Sequence, residues 1–117
     1  MKKFENLKFK RTGKFLDEIS TRYEAQFSEN VFVRIYRCAY SKNWKVCYMD
    51  FIGMELGSLN GNLDPQYSKK EAIELIEWMR ADKEQVARLE EMSKREGTSH
   101  NEWLKKNGKE PIKRYKI

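Results

Sequence analysis

Two consecutive runs of β-branched and aromatic residues, 31–40 and 44–52, place the strongest constraint on the fold of this chain. Such runs are typical of β-strands, and the short gap between them predicts an antiparallel hairpin. A two-residue loop would bring Cys38 opposite Cys47, whereas a three-residue loop points these thiols to opposite faces. We expect the three-residue loop, because cross-strand pairs of opposite charges or of two rings contribute about 0.2–1 kcal/mol each. Its register pairs Val33/Phe51, Ile35/Met49 and Arg37/Cys47 on one face, and Arg34/Asp50, Tyr36/Tyr48, Cys38/Val46 and Tyr40/Trp44 on the other.

The segment before the hairpin carries large apolar residues at every fourth position, at Phe15, Ile19, Tyr23 and Phe27. This spacing matches one face of an amphipathic helix. Thr12 precedes the segment and is a residue type that caps helix N-termini. The pattern therefore predicts an N-terminal helix over about 13–27.

The segment after the hairpin predicts a short third strand over about 54–59, followed by a loop and a helix. Ser68 and Glu71 stand in the S-x-x-E pattern of a capping box, in which each side chain satisfies a backbone N–H of the other residue. A helix is therefore expected from 69 to about 80. Apolar residues then resume after a polar interruption, so the stretch 69–96 forms either one long helix or two.

Two glycines divide the C-terminal end of the chain. Gly97 is expected to end the preceding helix, because glycine readily adopts the left-handed conformation of helix C-termini. Ser99 and Glu102 repeat the capping-box pattern and predict a last short helix, which Gly108 ends.

These elements together predict an α+β protein of two layers, in the order α-β-β-β-α-α-α. Its sheet is a three-stranded antiparallel meander, with an N-terminal helix and two or three C-terminal helices. The 117 residues suit a single domain over 1–117. We expect a basic N-terminal segment, 1–12, and a basic C-terminal tail, 108–117, to flank its body.

Positive charge is concentrated at the two ends of the chain. The net charge is +6, yet residues 1–14 and 105–117 each carry six bases and one acid, which leaves the body between them at −4. Basic ends suit a polyanionic partner such as nucleic acid, and they also serve solubility. The candidate nucleic-acid-binding residues are Lys8, Lys10, Arg11, Lys14, Lys42, Lys69, Lys70, Lys113, Arg114 and Lys116.

The run Ser68, Lys69, Lys70 and Ala72 resembles the start of the second helix of double-stranded-RNA-binding domains, which share the order α-β-β-β-α. The resemblance implies phosphate contacts by Lys69 and Lys70. The chain departs from that family at Ile73, where the family has a further lysine. It also lacks the family's Gly-Pro-x-His loop between the first two strands and has a longer loop before the helix.

Residues that carry chemistry are sparse. His100 is the one histidine and follows a predicted cap, where we expect it to be exposed. Cys38 and Cys47 match no zinc-ligand spacing, and we expect them to be reduced thiols of a cytoplasmic protein. Neither a signal peptide nor an apolar run of transmembrane length is present in the sequence. The sequence thus predicts a protein that is not an enzyme and has no metal, no cofactor and no membrane partner.

Two functions remain. The first is a small accessory or regulatory protein, of the kind common in phages and mobile elements, that binds nucleic acid through its basic ends and the basic start of the 69–80 helix. The alternative is a protein-binding module or inhibitor that docks on a larger enzyme. Its anchors would be the hairpin rings or the acidic stretch 82–96, because Tyr and Trp dominate interface hot spots. The candidate partner-binding rings are Tyr36, Tyr40, Trp44 and Tyr48.

Overall fold

A four-stranded antiparallel sheet in the order β1-β2-β3-β4, followed by two helices, forms the fold in a computed structural model. The structure describes residues 7–14, 20–38, 43–56 and 68–117. The α+β class is confirmed, but the predicted three-stranded sheet and the order α-β-β-β-α-α-α are wrong, since the sheet has four strands and the element order is β-β-β-β-α-α. The elements are β1 (Lys10–Lys14), β2 (Ser20–Ser28), β3 (Val31–Cys38), β4 (Lys45–Met49), α1 (Lys69–Ala81) and α2 (Lys83–Lys106).

The predicted N-terminal helix over 13–27 is wrong, since β1 and β2 fall there. A spacing of four residues fits the helical period of 3.6 and is also a multiple of the strand period of two. Ala25 decides between helix and strand. Tyr23, Ala25 and Phe27 occupy every second position of β2 and lie on one face, where Ala25 and Phe27 are fully buried. Thr12 lies within β1 and caps no helix.

The predicted register of the hairpin is also wrong. Val33 pairs with Tyr48 and Arg34 with Cys47, so β4 is shifted by three residues relative to the expected pairing. An odd shift moves the side chains of β4 to the opposite face relative to β3. Arg34 consequently meets Glu24 of β2 rather than Asp50.

Alternation along the strands separates two faces of the sheet. The inner face is apolar and packs against Ala72 and Ile76 of α1 and Leu89 of α2. Both helices thus cover the same side of the sheet, and burial of these residues supplies the main core. The residues that the inner face contributes to this core include Ala25, Phe27, Val33, Ile35, Val46 and Tyr48.

The start of α1 confirms the first capping box. Ser68 Oγ accepts a 3.1 Å hydrogen bond from the Glu71 N–H, and Glu71 Oε1 accepts a 3.0 Å bond from the Ser68 N–H. At the far end Asp82 closes α1 and caps α2, with its carboxylate accepting from the Glu84 N–H at 3.0 Å. The stretch 69–96 therefore contains the end of one helix and the start of a second.

The predictions for the remaining C-terminal elements are wrong in detail. Of the predicted third strand over 54–59, the described part, 54–56, has only an isolated bridge between Glu55 and Met49, and 57–59 lie outside the described residues. Gly97 does not end a helix but lies inside α2, where its missing side chain makes room for the ring of Phe51. Ser99 and Glu102 are consequently interior residues of α2, and the predicted last short helix is its C-terminal part.

A polar stripe on α2 joins two turns of the sheet. Glu90 Oε2 accepts hydrogen bonds from Ser28 Oγ at 2.5 Å and from the Asn30 N–H at 2.7 Å. One turn later, Ser93 Oγ donates to the Asn30 carbonyl and accepts from the Phe51 N–H at 2.9 Å. These bonds hold the middle of α2 against the β2–β3 turn and the turn after β4.

Neither described helix is long and apolar enough to span a bilayer.

Candidate functional site

The face of the sheet opposite the helices, here called the outer face, carries most of the sheet's charged side chains. Strand pairing aligns its residues in three rows across the sheet. The rows are Arg22–Tyr36–Lys45, Lys10–Glu24–Arg34–Cys47 and Gln26–Phe32–Met49.

The row Arg22–Tyr36–Lys45, here called the cationic row, sets one ring between two cations. Lys45 is exposed, while Arg22 and Tyr36 are partly exposed. The ring of Tyr36 packs against a small apolar cluster that includes Cys47 and Met49. Arg22 Nε is buried and finds no hydrogen-bond partner among the described residues. This arrangement offers a flat ring with a positive charge on either side.

The neighbouring row contains an internally neutralised pair. Arg34 Nε donates a 2.7 Å hydrogen bond to Glu24 Oε2, and the Glu24 side chain is fully buried. Burial alone raises the pKa of the Glu24 carboxyl, but hydrogen bonds from Tyr115 and Arg34 and the positive charge of Arg34 outweigh it and leave the pKa below its usual value. Glu24 is therefore ionised at neutral pH, and its charge is spent on Arg34.

The C-terminal tail, residues 109–117, returns to the outer face. Tyr115 Oη donates to Glu24 Oε1 at 2.5 Å, and the Tyr115 N–H donates to the Phe51 carbonyl at 2.7 Å. The Tyr115 ring meets Phe32 edge to face, with 5.3 Å between ring centroids. The guanidinium carbon of Arg114 lies over the Phe32 ring, 5.8 Å from its centroid, and Arg114 donates to the Glu29 carbonyl. The tail is thus docked beside the cationic row, and its positions 113, 114 and 116 carry exposed bases.

The predicted basic residues divide between the two sides of the sheet. Lys10 shares the outer face with the cationic row, and Arg114 reaches the same face from the tail. Lys8 and Arg11 are exposed around β1, and Arg11 pairs with Tyr23, which places it on the inner-face side of the edge strand. Lys14 ends β1, and Lys42 lies outside the described residues.

The basic start of α1 lies on the inner-face side, away from the cationic row. Lys69 Nζ lies 3.8 Å from the centroid of the Tyr23 ring and 5.8 Å from that of Trp44. A cation so close to a ring face is held by the ring's quadrupole. Lys70 is exposed. The order of elements, β-β-β-β-α-α, also differs from that of double-stranded-RNA-binding domains, so the resemblance does not extend to the fold.

The predicted partner-binding rings do not form one surface. Trp44 and Tyr48 are 7% and 1% exposed, because the observed register turns them into the core beneath the helices. Tyr36 alone among the described members of this set lies on the outer face. Tyr40 lies outside the described residues.

Sequence reasoning missed Arg22 and Tyr115. Arg22 was assigned to a helix, although the alternation of Arg22, Glu24 and Gln26 with Tyr23, Ala25 and Phe27 is the strand signal that would have placed it on the outer face. Tyr115 has no comparable signal, because its partner Glu24 is 91 residues earlier. Local patterns carry no information about a contact over that separation.

The residues examined for catalysis are engaged in structural contacts or spread apart. His100, which was expected to be exposed, is partly exposed, and its Nδ1 lies 3.2 Å from Oδ2 of the buried Asp50. Asp50 also accepts hydrogen bonds from the Ile52 and Met54 N–H groups and thereby shapes the turn after β4. Within the described ranges, no group of three His, Cys, Asp or Glu side chains has the arrangement of a metal site.

Burial makes the thiol of Cys47 inert. It raises the pKa of this thiol to about 12, with a further contribution from the nearby carboxylate of Glu55. A thiol with this pKa is protonated at neutral pH and is therefore a poor nucleophile. Comparison with known proteins finds no match to a protein-family model, to a curated protein or to a solved structure.

Proposed function

We propose that the protein is a non-enzymatic accessory factor that binds single-stranded nucleic acid on the outer face of its sheet. The observation that carries the proposal is the cationic row, in which the ring of Tyr36 lies between Arg22 and Lys45 on three adjacent strands. A base stacks on such a ring whatever its identity, and the flanking cations meet phosphates.

The dimensions of the row suit this role. Adjacent strands are about 4.8 Å apart, so Arg22 and Lys45 are attached to the sheet about 10 Å from each other. Both side chains are long, and Lys45 is exposed while Arg22 is partly exposed. One base stacked on Tyr36 and the phosphates on its two sides fit within this span. A duplex offers no such base, because its bases are paired and stacked on each other.

The distribution of charge also favours the outer face. Its described cations are Lys10, Arg22, Lys45 and the tail residue Arg114, since Arg34 is neutralised by Glu24. The exposed side of α1 is instead acidic, with Glu71, Glu74 and Glu77 all exposed. A polyanion approaching the molecule is therefore steered toward the sheet and away from this exposed side of α1.

Substitution of the cationic row tests the proposal. We expect Tyr36→Leu to weaken binding of a fluorescently labelled mixed-sequence single strand about 5- to 150-fold at low salt, because stacking contributes about 1–3 kcal/mol per base. Leucine keeps the apolar packing of Tyr36 against Cys47 and Met49. Fluorescence anisotropy gives the dissociation constants.

The matched control is Trp78→Leu, which removes a ring that is 67% exposed on α1. It is expected to leave the affinity for nucleic acid unchanged. Equal losses in the two variants, or failure of the wild-type protein to bind any single strand at low salt, would contradict the proposal. A wild-type preference for duplex would contradict the assignment to single strands.

A protein partner is the second candidate function, and one observation supports it. Trp78 is 67% exposed and Trp103 is 58% exposed, and an exposed tryptophan is the residue type most enriched in interface hot spots. Trp78 lies beside Glu74 and Glu77, so a partner would present a basic surface to α1. A stoichiometric partner that survives nuclease treatment and is lost with Trp78→Leu would favour this function over nucleic-acid binding.

A further inference from the structure

The ring of Tyr115 fills a slot on the outer face that has a polar group at one end and a glycine at its base. Phe32 forms one wall, in edge-to-face contact with the ring. Gly53 forms the floor, and a Cβ atom at this position would lie 2.5 Å from Cδ1 of Tyr115. The ionised Glu24 carboxylate lies at the far end and accepts the hydroxyl at 2.5 Å. The slot thus accepts a flat ring with a hydrogen-bond donor projecting from its edge.

The tail that delivers this ring is held by few contacts. Tyr115 is partly exposed, and the other residues of the tail are exposed and lie in neither helix nor strand. Besides Tyr115, the tail is tied by a 2.9 Å hydrogen bond from the Lys109 N–H to the Leu104 carbonyl, by hydrogen bonds between Asn101 and the backbone of Ile112, at 2.8 and 2.9 Å, and by Arg114 to the Glu29 carbonyl. Segments with exposed hydrogen bonds and little burial open at low free-energy cost.

Opening of the tail would extend the surface described for the cationic row. Phe32 and Tyr36 lie on the same face of β3 and are four residues apart, which corresponds to about 14 Å along the strand. Phe32 is 3% exposed while Tyr115 and Arg114 cover it. Without the tail, β3 would present the rings of Phe32 and Tyr36 on this face, with the Glu24 carboxylate beside them on β2.

We propose that the Tyr115 slot is a second base-binding site, which the C-terminal tail closes as a lid and which a nucleobase bearing an amino group opens by displacing Tyr115. The proposal rests on nucleic-acid binding at the cationic row. An ionised carboxylate is an acceptor only, so it selects a ring that donates. The exocyclic amino groups of cytosine and adenine project from the ring as the tyrosine hydroxyl does, and acidic side chains accept from the cytosine amino group. The N–H of thymine lies within its ring and reaches less far.

Emptying the slot tests the lid without altering the charge of the tail. Tyr115→Ala keeps every base of the tail, and a lid that is mostly closed reduces apparent affinity by the fraction of molecules that are open. We expect this variant to bind oligo(dC) at least about threefold more tightly than the wild-type protein does. Both proteins should prefer oligo(dC) over oligo(dT). Ile117→Ala, at an exposed position of the same tail, is the matched control and should leave both affinities unchanged.

Displacement of the ring is observable directly by amide hydrogen exchange. The Tyr115 N–H, which donates to the Phe51 carbonyl, should lose protection when oligo(dC) is added to the wild-type protein. Tyr115→Phe keeps the ring and removes only the donor to Glu24, so it covers the case in which the alanine variant is poorly folded. It too should bind oligo(dC) more tightly than the wild-type protein.

The outcomes separate the two proposals. If the wild-type protein binds and both Tyr115 variants bind with equal or lower affinity, the lid proposal is overturned, while binding at the cationic row is retained. Retained protection of the Tyr115 N–H in the presence of saturating oligo(dC) would also overturn it. Absence of binding by every variant at low salt would overturn the proposed function and, with it, the second site.

Discussion

The hydroxyl of Tyr115 donates a 2.5 Å hydrogen bond to Glu24, a fully buried carboxylate 91 residues earlier in the chain. This contact ties the last residues of the protein to the second strand of the sheet. Glu24 also accepts from Arg34 on the neighbouring strand, so one carboxylate joins β2, β3 and the C-terminal tail. The Glu24–Arg34 ion pair carries no net charge and therefore attracts no anion. Its contribution to this surface is to position β2, β3 and the C-terminal tail relative to one another.

Glu24→Gln should lower the free energy of unfolding by about 2 kcal/mol or more, because a hydrogen-bonding group that loses its charged partner inside a protein pays a desolvation cost. The substitution leaves Arg34, whose side chain is 20% exposed, opposite a neutral amide. Urea denaturation followed by circular dichroism measures the change. Glu77→Gln, on the exposed side of α1, is the control and should change the free energy by no more than about 0.5 kcal/mol. Equal effects of the two variants would refute the buried ion pair.

Stability should fall at acidic pH because of Glu90 as well as Glu24. Burial raises the pKa of Glu90, but hydrogen bonds from Ser28 and Asn30 outweigh it and hold the pKa below the ordinary value of 4.5. A depressed pKa in the folded state adds stability above the ordinary value, and this stability is lost as pH falls through the folded-state pKa. Glu90→Gln should therefore be less stable than the wild-type protein at pH 7 and lose less on acidification.

Urea midpoints measured between about pH 7 and pH 3 test this dependence. Glu91→Gln changes an exposed neighbouring position and should retain the wild-type decline. An unaltered decline in Glu90→Gln would show that this carboxylate makes no contribution to the acid sensitivity.

The N-terminal half of the chain shows why part of this fold escapes sequence reasoning. The capping box of α1 is local, since Ser68 and Glu71 are three residues apart, and the sequence located that helix within one residue. The register of β3 and β4 depends on the length of a loop, which side-chain patterns leave open. Apolar residues at every fourth position fit both a helix and a strand, so the segment around Tyr23 required tertiary contacts for its assignment.

The candidate site was less predictable than the fold. Lys10 and Tyr36 were identified as binding residues, but no sequence pattern places them on one face. Arg22 joins them only through the pairing of β2 with β3. The sequence-based prediction placed the rings of Trp44 and Tyr48 on a surface. Their burial depends on which face of the sheet the helices cover, and the observed register puts both rings beneath α1 and α2.

Cys47 should resist modification in the folded protein. Its thiol is 5% exposed and has a pKa of about 12, so little thiolate is present at pH 8. In a Cys38→Ser background, we expect a chromogenic disulfide reagent to react with Cys47 only as fast as the protein unfolds, and at once in concentrated urea. Rapid reaction of the native protein would mean that the outer-face cluster of Phe32, Cys47 and Met49 is open to solvent.

Gly97→Ala should destabilise the protein, although alanine in a helix interior is ordinarily favoured over glycine by about 1 kcal/mol. A Cβ atom at this position would collide with the ring of Phe51, and relief requires the ring to move away from α2. We expect a loss of about 1–3 kcal/mol, typical of overpacking. A Phe51→Leu background should reduce the loss, and the double-mutant cycle measures the coupling. A stabilising effect of Gly97→Ala would disprove the close packing of Phe51 on α2.

The salt dependence of binding tests the role of the cationic row most directly. Each phosphate contact with a single strand contributes about −0.7 to the slope of log affinity against log salt concentration. Arg22→Gln with Lys45→Gln should make the slope shallower by about 1.4, whereas Arg88→Gln with Lys83→Gln, which removes the same two residue types from exposed positions of α2, should leave it unchanged. Identical slopes for the two double variants would contradict the account.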